Sequence, residues 1–228
     1  MLKNAAYFDN KPIMWLWIPL VFMAAQLMME AFLPPLMLEK IHAENGPHEL
    51  LQFIVMVMAL CVAVSTLVNA RADVSRPLKS WMMLAALCCF YVAGEELSWG
   101  QQILNWGTPE FWAQVNDQAE TNLHNKNSWL DQKPRLLLLV GVVVGGLIMP
   151  AIGKYKAPLL PKKFQTLYPE PHLWLIALMA LVVKIIDKYA GLTGHVVFER
   201  ASEIEELYLY YFVFLYLLMM RQRLTAEQ

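Results

Sequence analysis

The chain has 228 residues, of which 58% are hydrophobic and 16% charged, and its mean hydropathy is +0.40. A soluble domain carries about 25% charge, so this chain has more apolar side chains than an aqueous fold can bury, and lipid is the natural place for the excess. The net charge of −1 leaves no basic surplus to neutralise phosphates, which argues against a nucleic-acid partner.

A spanning helix needs roughly 20 mainly apolar residues. Six candidate runs follow in chain order, at about 12–33, 50–70, 78–93, 136–153, 173–186 and 207–220. Lys3 and Lys11 precede the first. That run exceeds a signal-peptide core and no small-residue cleavage site follows it, so it reads as a retained span. The third run continues into a polar extension, 94–104. The fifth is short and ends on Lys184, Asp187 and Lys188, with Lys184 and Asp187 spaced to pair at i, i+3. The sixth is extended back to about Ser202 by a very acidic first turn. The expected fold class is all-α: a polytopic transmembrane helical bundle of about six spans, forming one integral membrane domain over 1–228. A partly structured outer loop, 94–135, joins spans three and four. Its Trp and Leu content argues against disorder, and part of it is expected to lie along the membrane surface or re-enter between helices.

Lys and Arg set the orientation. With six spans, one side receives Lys3, Lys11, Arg71, Arg76, Lys79, Lys154, Lys156, Lys162, Lys163, Arg221 and Arg223, with only Asp9, Asp73, Glu170 and Glu227 as acids. The other side receives nearly all remaining acids and four of the five histidines. The basic side is expected to be cytoplasmic, giving a multi-pass bacterial inner-membrane protein with both termini inside. Cys61, Cys88 and Cys89 lie inside apolar runs without a C-x-x-C pair, and read as small buried hydrophobes rather than thiolate ligands. Gly141-x-x-x-Gly145 in span four is a small-xxx-small match that suits close helix packing, more simply within one chain than between two; the oligomeric state stays open.

Three polar clusters reach the acidic side. Glu95, Glu96 and Ser98, with Gln101 and Gln102, close span three. Adjacent helix positions point about 100° apart, so only one of the two carboxylates can face a given site. Charge at mid-membrane costs at least about 2.5 kcal/mol, which favours a paired or hydrated setting. Glu120, Asn122, His124 and Asn125 follow; at i, i+4, Glu120 can orient the His124 imidazole or share a metal with it. Glu199, Glu203 and Glu206 sit at i, i+4, i+7 before the last span, beside Arg200. Glu30 inside span one is an ionisable intramembrane residue. His42, His48, Glu49 and His195 read singly as surface residues.

The string Glu95-Glu96-x-Ser98-Trp99-Gly100-Gln101, followed by Glu120-Thr121-Asn122-Leu123-His124-Asn125, resembles a pattern in uncharacterised multi-pass bacterial membrane proteins. The resemblance covers about 30 residues and brings no mechanism with it. The alkaline ceramidase and progestin-receptor-like membrane hydrolases use several histidines with an Asp and a Ser for zinc. Their late paired histidines are missing here, where His195 stands alone, so none of their residues is carried over.

These residues point first to an outer-leaflet enzyme, a hydrolase or transferase acting on a membrane lipid or lipid-linked substrate. Glu95, Glu96, Ser98, Glu120 and His124 are its candidate catalytic residues, with Glu96 or Glu120 as general base and His124 as acid/base or ligand. Ser98 lacks a nucleophile elbow and an adjacent base. His124, Glu96, Glu199, Glu203 and Glu206 are the candidate metal ligands, a donor set that suits Zn, Mn or Fe as a divalent ion. The alternatives are a proton- or cation-coupled transporter and a non-catalytic accessory subunit.

Overall fold

A computed structural model describes residues 6–43, 46–115, 121 and 128–226. Among the described residues the chain is helical, without strands. A π-helical turn, Ile13–Trp17, leads into α1 (Ile18–Phe32), followed by the short α2 (Pro35–Ile41), α3 (Pro47–Asn69) and α4 (Arg76–Glu96). Two small helices, α5 (Gln101–Leu104) and α6 (Glu110–Val115), lie in the long connection. Then come α7 (Ser128–Val143), a second π-turn at Val144–Ile148, and α8 (Met149–Tyr155). Short 3₁₀ turns then lead to α9 (Trp174–Thr193) and α10 (Ala201–Thr225).

Among the described residues, four helical stretches are long and apolar enough to cross a membrane: Ile13–Phe32, Pro47–Asn69, Arg76–Glu96 and Lys133–Tyr155. The fifth element is longer than its apolar run, because Lys184, Asp187 and Lys188 fall inside α9 rather than after it. Both α9 and α10 are long, but they carry charge. The physical reason lies in the packing. Helix α10 is the centre of the bundle, against α3 and α9 and touching α7. Buried residues occur all round it, from Leu207, Tyr208 and Leu209 to Leu215 and Met219. A helix enclosed by protein need not be apolar on every face, provided its polar groups find partners.

The four tyrosine hydroxyls of α10 each donate a hydrogen bond. Tyr208 reaches the Pro19 carbonyl at 2.9 Å, Tyr211 the Met14 carbonyl at 2.7 Å, Tyr216 the Leu167 carbonyl at 3.1 Å, and Tyr210 a carboxylate described below. Pro19 has no N–H to give to the turn before it. The π-turn at Ile13–Trp17 and the Tyr211 hydroxyl accommodate that loss. Pro150 follows the second π-turn in the same register.

The small-residue motif of span four packs within the chain, but in a shifted register. A methyl on Gly146 would fall 2.5 Å from the Ala177 Cβ and 2.9 Å from the Phe212 ring, and one on Gly145 would fall 3.0 Å from Pro169 Cγ. Around Gly141 there is open space. Of the cysteines only Cys89 is buried. Cys61 and Cys88 face outward on the apolar girdle, where a thiol is as compatible with lipid as with a core.

The bundle has a basic end and an acidic end. At the basic end Glu170 is the buried organiser. It accepts the backbone N–H of Tyr7 at 2.7 Å and of Phe8 at 3.1 Å, and faces Arg223 at 3.9 Å and His172 at 3.8 Å. Arg223 donates to the carbonyls of Thr166 and Tyr168, tying the C-terminal turn of α10 to the loop after α8.

Candidate functional site

The acidic end gathers the C-terminus of α4 and the N-termini of α3, α7 and α10. Glu96, on the last turn of α4, is buried, and its Oε1 accepts the Tyr210 hydroxyl at 3.0 Å. The charges of Glu203, Glu49 and Arg135 converge on it. Glu206, also buried, pairs with Arg135 Nε at 2.8 Å. Gln52 of α3 donates to both the carbonyl and the carboxylate of Glu203, at 3.0 and 3.3 Å. On the outer flank of α10, Glu205 accepts Lys184 at 3.0 Å, closer than the 3.6 Å between Lys184 and Asp187. Carboxylates, a guanidinium, a phenol and an amide thus share one low-dielectric pocket, where paired polar groups interact strongly and unpaired ones are costly.

The helical offset sends Glu95 elsewhere. Its Oε1 accepts the Trp99 indole N–H at 2.6 Å. Ser98 and Trp99 adopt left-handed φ values of 47° and 56°, followed by Gly100 at 97°. This tight reversal lays the Trp99 ring against Gly94, where an added Cβ would sit 2.8 Å from the ring. Ser98 is fully buried, and its carbonyl accepts the Thr121 hydroxyl at 2.9 Å. Gln101 Oε1 accepts both the N–H and the hydroxyl of Thr121. The Glu95–Gln101 string therefore builds the turn that anchors the long connection, while Glu96 faces the cluster. Glu120 and His124 lie outside the described residues.

Glu199 does not join Glu203 and Glu206 on a helical face. Helix α10 begins at Ala201, so Glu199 precedes it, and its N–H donates to Glu30 Oε1 at 3.0 Å. Among the described residues no group of three or more His, Cys, Asp or Glu side chains is placed to hold a metal ion. The carboxylate of Glu206 is engaged by Arg135 instead.

His42 and His48, which single-residue reasoning puts on the surface, are buried. Their rings meet edge to face at 4.4 Å between centroids, His48 Nε2 contacts Gln26 Nε2, and His42 Nε2 lies 3.8 Å from Glu30 Oε1. Among the described residues, both ring nitrogens of His42, His48 Nδ1 and Gln26 Oε1 are buried without a hydrogen-bond partner. His42, outside the spans, is held below the ordinary histidine range, chiefly by burial and next by the positive charge of Arg200; Glu199 opposes the shift.

Three contributors escaped the sequence reading. Tyr210 continues the Glu203, Glu206 series at i+7, so following that face one more turn would have found it. Arg135 is a cation at the start of an apolar run on the acidic side, an exception to the charge sorting. Gln26 stands four residues before Glu30 inside α1.

An apolar cleft of 690 Å³ adjoins the cluster. Its walls are α4, α7 and α8, its back is α10, and the loop around Phe164–Pro169 forms its floor. Tyr210 belongs both to the cleft wall and to the Glu96 hydrogen bond. No family model, curated protein or solved structure matches the chain.

Proposed function

We propose that this chain is a lipid-directed hydrolase or transferase of a bacterial inner membrane, with six passes, both termini cytoplasmic and the acidic end facing outward. The observation that carries the reading is the Tyr210–Glu96 hydrogen bond, buried beside Arg135 and Glu206 at the wall of an apolar cleft. Glu96 accepts the proton of an attacking water or lipid hydroxyl as the new bond to the substrate forms and the leaving group departs. Tyr210 holds the carboxylate in position, and Arg135 offers positive charge to the oxygen on which negative charge develops. His124 is the proposed proton donor to the leaving group, or a metal ligand. Glu120 is the reserve base. The resemblance to other multi-pass bacterial proteins that share the E-E-x-S-W-G-Q pattern remains part of this proposal.

The test compares the lipid composition of membranes from cells expressing the wild-type chain, Glu96→Gln or Tyr210→Phe. A lipid change that appears with the wild type and disappears with Glu96→Gln, at equal protein level, is expected. An identical change with Glu96→Gln removes the reading.

Proton- or cation-coupled transport is the second reading, and the His42–His48–Gln26–Glu30 cluster favours it, since buried imidazoles with unpartnered nitrogens suit a proton relay. Proton uptake into proteoliposomes that is abolished by Glu30→Gln and untouched by Glu96→Gln would favour transport over lipid chemistry.

A further inference from the structure

We propose that the cleft between α4 and α7 is a binding site for one acyl chain of a bilayer phospholipid, admitted sideways from the membrane with its headgroup end toward Glu96 and Arg135. The proposal deepens the enzymatic reading and rests on it for the role of the bound lipid as substrate.

The cleft's position selects the occupant. Its rim includes Cys88 and Gly141, both exposed, and the neighbouring surface carries Leu84, Leu87, Leu137 and Val140, also exposed. This opening lies within two of the stretches long and apolar enough to cross a membrane, so it faces hydrocarbon rather than water. At 690 Å³ it falls within the roughly 300–1,000 Å³ of a ligand pocket.

The chemistry of the walls narrows the choice further. Three tyrosines reach the lining, and the structure gives each hydroxyl a partner: Tyr210 donates to Glu96, Tyr216 to the Leu167 carbonyl and Tyr168 to the Pro161 carbonyl at 2.8 Å. The Trp81 indole N–H is likewise used, on Tyr216 at 3.0 Å. With these donors spent internally, the cleft suits a chain of methylenes. Phe164 and Leu167 close the cleft toward the basic end, where a methyl terminus fits. At the other end Leu138 lines the wall; Arg135, the ion-pair partner of Glu206, stands one turn earlier on the same helix, and Lys133 lies two residues before it. Cations at that level match the phosphate of a headgroup.

Gly141 is the position that leaves the cleft open. A Cβ built there meets nothing within 4 Å, so a large side chain can enter the space without disturbing the packed Gly145–Gly146 turn.

The experiment uses the full chain in nanodiscs containing phosphatidylglycerol with a photoreactive diazirine at mid-chain, with crosslinks mapped by peptide mass spectrometry. Crosslinks are expected to concentrate on cleft-lining positions such as Val92 and Val142, above the annular labelling of Leu87 and Val140. Gly141→Phe should lower the cleft labelling by about fivefold or more while annular labelling stays unchanged. Ala85→Phe, from the opposite wall, gives the same readout if the first variant folds poorly. Cleft labelling no higher than annular labelling, or unchanged in both filled variants, overturns the proposal. The two readouts keep the claims apart, because labelling reads occupancy of the cleft and the lipid change reads the chemistry at Glu96. An inactive Glu96→Gln together with an unlabelled cleft sinks the acyl-chain site alone. A labelled cleft together with a fully active Glu96→Gln sinks the reactive-centre reading alone.

Discussion

Replacing Gly146 by alanine tests the closure of the bundle. The added methyl would lie 2.5 Å from the Ala177 Cβ and 2.9 Å from Phe212 Cε2. Ordinary carbon contacts lie at about 3.5–4.0 Å, so the helices must part by about 1 Å. Ala177 cannot rotate its Cβ away, and Phe212 is itself buried, so neither neighbour yields cheaply. Overpacking of this kind costs about 1–3 kcal/mol, and two clashes place it at the upper end; alanine's better helix propensity returns at most about 1 kcal/mol. Gly146→Ala is therefore expected to destabilise by about 2 kcal/mol. Gly141→Ala meets nothing and keeps the propensity gain, so the two variants should differ by about 3 kcal/mol with opposite signs. Unfolding in mixed detergent micelles, followed by circular dichroism, measures both. Variants that move together, or differ by less than about 1 kcal/mol, would refute the packing described for the turn after α7.

The Arg135–Glu206 pair, in which the carboxylate is buried and the guanidinium half-buried, makes a second prediction: Arg135→Met should cost about 3 kcal/mol by leaving Glu206 uncompensated, and the double variant Arg135→Met with Glu206→Met should recover most of the loss in the same unfolding assay. His42 sets a pH dependence. Its depressed value means the unfolded chain binds more protons, so its contribution is complete above the ordinary value of 6.5 and is lost as pH falls below it. Wild-type stability should therefore fall as the pH is lowered through 6.5, and less so in His42→Gln; parallel curves would discount the histidine. At the basic end, Glu170→Gln should loosen the N-terminal segment, seen as faster proteolysis before Trp15, because an amide offers one acceptor oxygen where the carboxylate uses two for Tyr7 and Phe8.

Hydropathy revealed the four most apolar helices, because a lipid-facing helix must advertise itself along most of its length. It understated α9, since Lys184 is neutralised by Glu205 across the helix pair, a contact no local rule can see. Glu96 was legible as a carboxylate needing a partner; that the partner is Tyr210, 114 residues away, was not. His42 and His48 misled in the other direction. Loop position implies exposure only when the loop does not fold back, and here the two rings pack on each other in a buried setting.

The polar content of α10 bears on how the bundle assembles. Glu205, Glu206 and Tyr210 would meet lipid unpaired if this helix crossed alone, at a cost of several kcal/mol for the charges. Their partners sit on α4, α7 and α9, all earlier in the chain. In the folded bundle each of these groups meets its partner on an earlier helix, so the polarity of α10 helps to fix its partners and register. The same constraint locates the candidate chemistry: the charged groups lie where α10 meets its neighbours, and the apolar cleft adjoins that seam through Tyr210.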